Sequence, residues 1–326
     1  MFSLPLANYV SHIGFDISQA KTILSAGNTV AIPTETVYGL AANAFDVAAV
    51  AQIFSIKKRP TFDPLIVHTH SIEALHSFVR EIPKAAQQLA EVFWPGPLTL
   101  LLPKKSIIPD LVTSGLDRVA VRIPDHPLTL ALLQSLDFPL AAPSANPFGY
   151  ISPTTAKHVA DQLGAEVEYI LDGGAANIGV ESTIVGWENG KATIMRVGGL
   201  SIDAIENVIG PVDILSVSSS NPAAPGMLKS HYAPRIPMRA GNITELIKKY
   251  SSKKIAVLSF QQAYPAVHIN YILSKTGDVN EAAQHLFSAM RELDTTDADI
   301  ILTEFVPAIG LGLAINDRLK RACAEE

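Results

Sequence analysis

A chain of 326 residues that is 48% hydrophobic and 17% charged carries enough apolar material for two medium-sized cores. Its longest apolar runs, LTLLLP and PLAAP, fall far short of the roughly 18–20 residues of a membrane helix, and a net charge of -6 excludes a general basic coat for nucleic acid while allowing a local basic pocket. No secretory leader is legible, and the single cysteine, Cys323, permits neither an internal disulfide nor a cysteine cluster, so a cytoplasmic location without membrane association is expected.

Along the chain, NTVAIPT predicts a short buried strand that stops at Pro33. DVAAVAQIFSIKKR places Val47, Val50, Ile53 and Phe54 at helical spacing, with basic residues at the C-terminal end where they complement the helix dipole. PLIVHT reads as a strand, SIEALHSFV and PKAAQQLAEVF as surface helices, LTLLLPK and RVAVRIP as strands, and HPLTLALLQSL as a buried helix. FPLAAPSANP crowds proline with small residues and predicts an irregular segment that approaches something closely. TTAKHVADQLG is the next helix, ended by Gly164. After it come EYILDGG, the pair STIVGW and ATIMRVG turning at Asn189-Gly190, and the short helix SIDAIENVIG.

This first region mixes short strands and helices without a regular βαβ rhythm and closes near Gly210. In VSSSNPAAPG, serine, proline and glycine replace periodic apolar residues, the composition of a linker. Beyond Pro237, NITELIKKY, KIAVLSF, NEAAQHLFSAMRELD, DIILTEF and GLGLAINDRLKRACAEE alternate helix and strand, predicting a small α/β layer domain. No GxGxxG follows its first strand and no phosphate-binding P-loop is present, so its Rossmann-like rhythm carries no cofactor fingerprint.

Chemistry is concentrated in a few stretches. In SIKKRPTFDPLIVH, Lys57 and Arg59 flank Lys58 at a helix end before Pro60, a pattern that fits both a solvated terminus and a polyphosphate-binding pair. PTETVYGLA puts Thr34, Glu35, Thr36 and Tyr38 directly after a strand, as either a capped helix start or the rim of a pocket. Gly39 allows close backbone approach there, and Glu35 carries the stretch's only charge, without an assigned role. APSANPFG holds Ser144 and Asn146 between prolines; with no GxSxG elbow and no base fixed beside Ser144, ligand orientation fits better than serine hydrolysis. Arg122 and Arg196 occupy apolar strand-like runs, where an arginine must be paired or reach solvent or an anion, and Ser182 and Thr183 sit comparably. Nine histidines, His68, His126 and His231 among them, form no HExxH or closely spaced cluster, so a structural metal is not expected. Several cations and hydroxyls with few acids or bases favour phosphoryl or nucleotidyl transfer, driven by positioning and charge neutralisation.

Together PTETVYGLA, IKKRPTFDPLIVH, FWPGPLT, VAVRIPDHP, AAPSANPFGYISPTTA, ESTIV, MRVG and PGMLKSHYAPR resemble the threonylcarbamoyl-adenylate synthases of the long, two-domain form. The resemblance runs from about Thr34 to Arg235. It implies an α/β protein: a YrdC-like open twisted mixed sheet with helices and a large cavity over residues 8–212, a linker or lid over 213–238, and a small Rossmann-like α/β/α accessory domain over 239–326. The implied activity is that of a nucleotidyltransferase joining L-threonine, bicarbonate or CO2, and ATP into threonylcarbamoyl-AMP and diphosphate. Mg2+ would be held mainly by the ATP phosphates, without a protein cage. Downstream tRNA threonylcarbamoyl-transfer proteins would pass the group to the adenosine beside the anticodon; whether the chain itself holds tRNA stays open.

By the same resemblance Lys57 and Arg59 are catalytic and, with Ser144, Asn146, Ser152, Arg196 and Tyr232, meet ATP. Thr34, Tyr38, His68, Arg122 and Ser182 surround threonine, and His231 and Tyr232 belong to a lid whose path Pro225, Gly226 and Pro234 restrict. Two positions depart from the family pattern: Asp63 stands where members commonly have Asn, and Arg118 where they commonly have Thr. The alternatives are another carbamoyl-transfer or adenylating enzyme and a non-catalytic double-stranded RNA-binding protein. Absence of cysteine-rich zinc segments and of an acylphosphatase-like module counts against the larger carbamoyl-transfer architecture, and the charge balance against the RNA-binding reading.

Overall fold

The computed structural model describes residues 12–164, 166–215 and 231–324. The first unit contains, in order, β1 (His12–Gly14), α1 (Ile17–Ser25), β2 (Val30–Ile32), β3 (Gly39–Asn43), α2 (Val47–Lys57), β4 (Ile66–His68), α3 (Ile72–Leu75), α4 (Lys84–Phe93) and β5 (Leu98–Pro103). It continues with α5 (Asp110–Thr113), β6 (Arg118–Arg122), α6 (Pro127–Ser135), β7 (Leu140–Ala141), α7 (Ala156–Leu163), β8 (Tyr169–Leu171), β9 (Thr183–Glu188), β10 (Lys191–Arg196), α8 (Ile202–Ile209) and β11 (Asp213–Ile214). Its strands form one mixed sheet in the order β1-β8-β2-β3-β7-β4-β6-β5-β9-β10-β11.

Alternation along the strands divides the core between the two faces of this sheet. Ala31, Leu40 and Ala42 pack with Val50 and Ile53 of α2 and Leu89 of α4. Val30, Ile32 and Ala41 pack instead with Leu24 of α1 and Leu133 of α6. Both faces are covered, which explains why the strands read as continuous apolar runs. Helix starts are set by side chains: Asp16 and Asp46 each accept two backbone N–H bonds at the heads of α1 and α2, while Thr155 and Ser201 cap α7 and α8. Asn189 and Gly190 both take positive φ, 52° and 78°, the backbone that a two-residue turn between antiparallel strands requires.

The C-terminal unit comprises β12 (Met238–Ala240), α9 (Ile243–Lys249), β13 (Ile255–Ser259), β14 (Ile269–Ile272), α10 (Val279–Asp294), β15 (Ile300–Thr303) and α11 (Gly312–Ala322). Its four strands are all parallel, in the order β12-β15-β13-β14. The inner faces of α10 and α11 do not stop at this unit's boundary. Leu286, Phe287, Met290, Ile315 and Leu319 share a core with Val37, Ile151 and Val180 of the first unit and with Tyr232.

Several expectations change. SIEALHSFV yields only the single turn of α3, and α6 buries just Thr129, Leu132 and Leu133, so it is one-sided rather than wholly buried. The short strands β1, β11, β12 and β14 owe their identity to the strands they pair with, distant in sequence for β1 and β12 and the preceding strand for β11 and β14, not to a pattern of their own. β11 pairs with β10, and Leu215 donates to Ile194 O at 3.0 Å, so the first sheet runs past the expected end at 212. At the other end of the expected linker, Met238 already belongs to β12. The expected start at residue 8 and the lid stretch 216–230, with Pro225, Gly226, Lys229 and Ser230, lie outside the described residues.

Candidate active site

The segment that follows β2 is a turn, not a helix start. The Thr34 hydroxyl donates to Val37 O at 2.6 Å and accepts from the N–H groups of Thr36 and Val37 at 3.2 and 3.1 Å. One side chain thereby folds the turn on itself, sending Thr34, Thr36 and Val37 to a cavity wall. Gly39 follows at the start of β3. A Cβ there would stand 3.2 Å from Ala142 Cβ, and the missing side chain lets the strand bridge to Ser144.

Two cations at the end of α2 are buried, which rules out a solvated helix terminus. Lys58 takes a left-handed φ of 51° and faces solvent, while Lys57 and Arg59 turn inward. Lys57 Nζ donates to Ser144 O at 2.6 Å and also to Asn146 O, tying the Ser-x-Asn loop to the helix end. Burial, with Arg59 nearby, pulls the Lys57 pKa well below that of an ordinary lysine. Arg59 donates to the carbonyls of Asp63 and Pro64, pairs with the Asp63 carboxylate at 2.8 Å, and lies 5.8 Å from the Phe148 ring. The unusual aspartate at 63 therefore faces Arg59. Arg118, the other departure, lies apart from the cavity and pairs with Glu188 at 2.8 Å.

The parallel register of β4 and β6 makes His68 and Arg122 direct neighbours. Arg122 Nη1 donates to Thr36 Oγ1 at 2.9 Å and Nε to Gly96 O at 3.2 Å, while Nη2 stands 2.7 Å from Glu35 Oε1. Burial and then Arg122 hold the His68 pKa down at about 3, so its ring is neutral near pH 7. Arg196, at the end of β10, donates to Ser182 O and Oγ at 3.0 and 3.1 Å, and Ser182 Oγ meets Thr99 Oγ1 at 2.7 Å. Burial lowers the Arg196 pKa to about 10. Three guanidinium groups, from Arg59, Arg122 and Arg196, thus line one cavity together with Ser144 and Ser182.

The cavity is roofed from the far end of the linker. Tyr232 has a φ of 65°, is 1% exposed, stacks on Phe287 of α10 at 5.4 Å, and has the Arg318 guanidinium 5.5 Å from its ring centre. His231 packs edge-on to Phe148 and Tyr232. Burial lifts the Tyr232 pKa to about 12 and drops that of His231 to about 3, leaving both rings uncharged. Beneath them the free space is about 50 Å³. That is well below the ~300 Å³ of a typical ligand site, so in this arrangement the cavity is closed to a molecule that fills such a site.

Of the residues named from sequence, Thr34, Arg59, His68, Arg122, Ser144, Ser182, Arg196, His231 and Tyr232 line this cavity. Lys57, Tyr38, Asn146 and Ser152 stand behind its walls. The Tyr38 hydroxyl donates to Gly174 O at 2.7 Å and accepts from Gly173 N at 3.0 Å, Asn146 Nδ2 binds Pro147 O and Tyr150 O, and Ser152 Oγ donates to Glu181 at 2.6 Å. These contacts tie loops together in this arrangement, while Asn146 Oδ1 is buried without a hydrogen-bond partner. Sequence reasoning missed Thr36 as a contact of Arg122, and it missed Glu181 and Arg318. Burial would raise the Glu181 pKa, but Arg318, Arg196 and the Ser152 hydroxyl outweigh it and hold the carboxyl below its usual range. Glu181 had a signal, as the one acid in GVESTIVGW beside Ser182; Arg318 had none, since it reaches this wall only by domain packing.

Comparison with known proteins agrees with this architecture. The family described as "Sua5_yciO_yrdC: Telomere recombination" matches residues 22–198, and the "Threonylcarbamoyl-AMP synthase, C-terminal domain" matches residues 200–324. The chain is 44% identical to a threonylcarbamoyl-AMP synthase of Pyrococcus abyssi, over 93% of this chain and 92% of that protein. It is 40% identical to one from Bacillus subtilis, over 94% and 92%. A crystal structure of the P. abyssi Sua5 complexed with L-threonine superposes with a TM-score of 0.90 at 41% identity, covering 96% of this chain and 97% of that one. The chain therefore belongs to the Sua5/YciO/YrdC family of threonylcarbamoyl-AMP synthases, in its two-domain form.

Proposed function

We propose that the chain makes L-threonylcarbamoyladenylate and diphosphate from L-threonine, ATP and CO2 supplied as bicarbonate. The observation that carries this reading is the convergence of Arg59, Arg122 and Arg196 with Ser144 and Ser182 on one cavity, in a fold superposing end to end on a relative that holds L-threonine. Such a site offers charge neutralisation and orientation, which is what transfer of an adenylyl group demands.

In this reading the threonine ammonium releases one proton to solvent, the free amine forms an N–C bond to CO2, and loss of a second proton from nitrogen to solvent gives a carbamate. A carbamate oxygen then attacks the α-phosphorus as the bond to the bridging oxygen breaks, and that electron pair leaves with diphosphate. Arg122 takes the threonine carboxylate, since a guanidinium fork matches its two oxygens. Arg59 and Arg196 face the phosphates, whose charge spreads onto the leaving group, and the hydroxyls of Ser144 and Ser182 orient the reactants. Thr34 and His68 complete the threonine side. Lys57 acts from behind, fixing the Ser144–Asn146 loop through its two carbonyl contacts. Tyr232 and His231 close over the reactants and keep water from a labile adenylate.

Among the described residues no group of three or more acids, histidines or cysteines is placed to hold a metal ion. The carboxylates nearest the cavity, Glu35, Asp63 and Glu181, are each paired with an arginine. An ion arriving on ATP would be held by phosphate oxygens, and no step here is assigned to it. Product would pass to the proteins that carry the threonylcarbamoyl group to tRNA.

The test is direct. Purified chain incubated with ATP, Mg2+, bicarbonate and L-threonine should yield the adenylate and diphosphate by mass spectrometry. Absence of adenylate with all four present, or equal yield after bicarbonate is removed, overturns the reading.

A further inference from the structure

Glu35 is a fully buried carboxylate without a part in the mechanism above. Both it and Arg122 are 3% exposed, and Glu35 Oε1 lies 2.7 Å from Arg122 Nη2. Arg122 lines the cavity and Glu35 does not, so the carboxylate approaches the guanidinium from outside the cavity. Neither carboxylate oxygen receives an aligned hydrogen bond. The contact is a pairing of charges rather than a directional bond, whereas aim is supplied by the neutral acceptors Gly96 O and Thr36 Oγ1. Neutral acceptors could have faced the remaining donors equally well. A charge placed there instead offsets Arg122 before any substrate arrives.

We propose that Glu35 is a positioning residue that makes the Arg122 site electrically neutral, so that it takes an amino acid zwitterion in preference to a bare carboxylate. The inference rests on the reading that Arg122 holds the carboxylate of threonine. An uncompensated buried arginine would attract any small carboxylate strongly. With Glu35 behind it, the pair adds no net charge, and the ligand must bring its own cation, the ammonium group, to avoid leaving an excess negative charge beside that pair. The turn that Thr34 closes holds Glu35 on the far side of the wall, so the counter-ion does not occupy the substrate's place.

Calorimetric titration with L-threonine and with 3-hydroxybutanoate, which keeps the carboxylate and hydroxyl but lacks the amine, tests this. Glu35→Gln keeps the shape and removes the charge; the preference for threonine should narrow by about tenfold, while the KM for ATP stays within about twofold. An unchanged preference, or equal losses for threonine and ATP, overturns the proposal. Glu35→Asp, which keeps the charge but draws it back by one methylene, guards against a Gln variant that does not fold. It should keep more of the preference than is expected of Glu35→Gln; a loss of the preference as large as that expected of Glu35→Gln overturns the proposal. Arg122→Met separates the two levels. If it leaves threonine binding intact, the reading beneath the proposal fails; if it abolishes binding while Glu35→Gln leaves the preference unchanged, only the role of Glu35 fails.

Discussion

Arg318 Nε donates to Glu181 Oε2 at 3.0 Å, joining the last helix of the C-terminal unit to a wall of the cavity in the first. Arg318 is wholly buried, donates also to Val197 O at 2.6 Å, and lies beside the ring of Tyr232. The other carboxylate oxygen, Glu181 Oε1, accepts the Ser152 hydroxyl at 2.6 Å. The C-terminal unit therefore supplies part of the frame against which Tyr232 rests, although it contributes no residue to the cavity lining among those described.

Arg318→Ala leaves Glu181 as a buried charge with its main partner gone. Breaking such a pair costs about 3–5 kcal/mol, whereas replacing both members by neutral groups of similar volume is often tolerated. Scanning calorimetry should show a large fall in Tm for Arg318→Ala and recovery in the double variant Arg318→Met, Glu181→Gln. A double variant as unstable as the single one would refute the pairing argument.

Two variants of Tyr232 separate its ring from its hydroxyl. Tyr232→Phe keeps the face packed on Phe287 and should form intact adenylate at close to the parent rate. Tyr232→Ala loses the ring, and a chromatographic assay should find AMP rising at the expense of adenylate as water enters. Equal AMP from both variants would remove the ring from any role in closure.

Lys57→Met preserves the stem and deletes the ammonium group that holds Ser144 O and Asn146 O. Two buried carbonyls losing their donor cost about 1–3 kcal/mol each, and the displaced Ser144 should lower adenylate formation by about 100-fold or more. Chemical denaturation beside a diphosphate-release assay measures both. Full activity in a destabilised protein would confine Lys57 to folding.

His68 gives a pH dependence whose sign is fixed. Its unfolded pKa is near 6.5, and burial beside Arg122 holds the folded value at about 3. Between those values the unfolded chain binds a proton that the folded chain refuses, so stability rises with pH and falls on acidification by up to about 1.4 kcal/mol per pH unit. From pH 7.5 to 5.0, urea unfolding should show the parent losing about 2 kcal/mol more than His68→Gln. Equal losses would mean that His68 titrates in the folded protein much as it does in the unfolded one.

Asp63→Asn tests the departure from the family pattern. Arg59 keeps its carbonyl contacts with Asp63 O and Pro64 O, so the guanidinium should stay in place while losing its paired carboxylate. With more of its positive charge available to phosphate, the KM for ATP should fall by about threefold at low ionic strength, and the gain should shrink as salt is raised. A rise in KM would show that the carboxylate aims Arg59 rather than moderating it.

Local chemistry made much of this protein legible. The helices DVAAVAQIFSIKKR and TTAKHVADQLG, the Asn189-Gly190 turn, the close approach at Gly39 and the placing of Lys57 and Arg59 on either side of Lys58 follow from side-chain size, hydrogen-bonding capacity and backbone freedom over a few residues. The stretches that carry the family resemblance supply the cavity wall. Tertiary structure decided what each charged group faces. Lys57 turns to the carbonyls of Ser144 and Asn146 and Arg122 to Glu35 because burial forces a charge to find its partner wherever the packed chain brings one. β11 and β14 became strands only when a neighbour offered a free edge, and Arg318 met Glu181 only when α11 packed against the first unit. Sequence fixes the donors and acceptors that are available; pairing across more than a hundred residues depends on the geometry of two cores, and no local pattern encodes it.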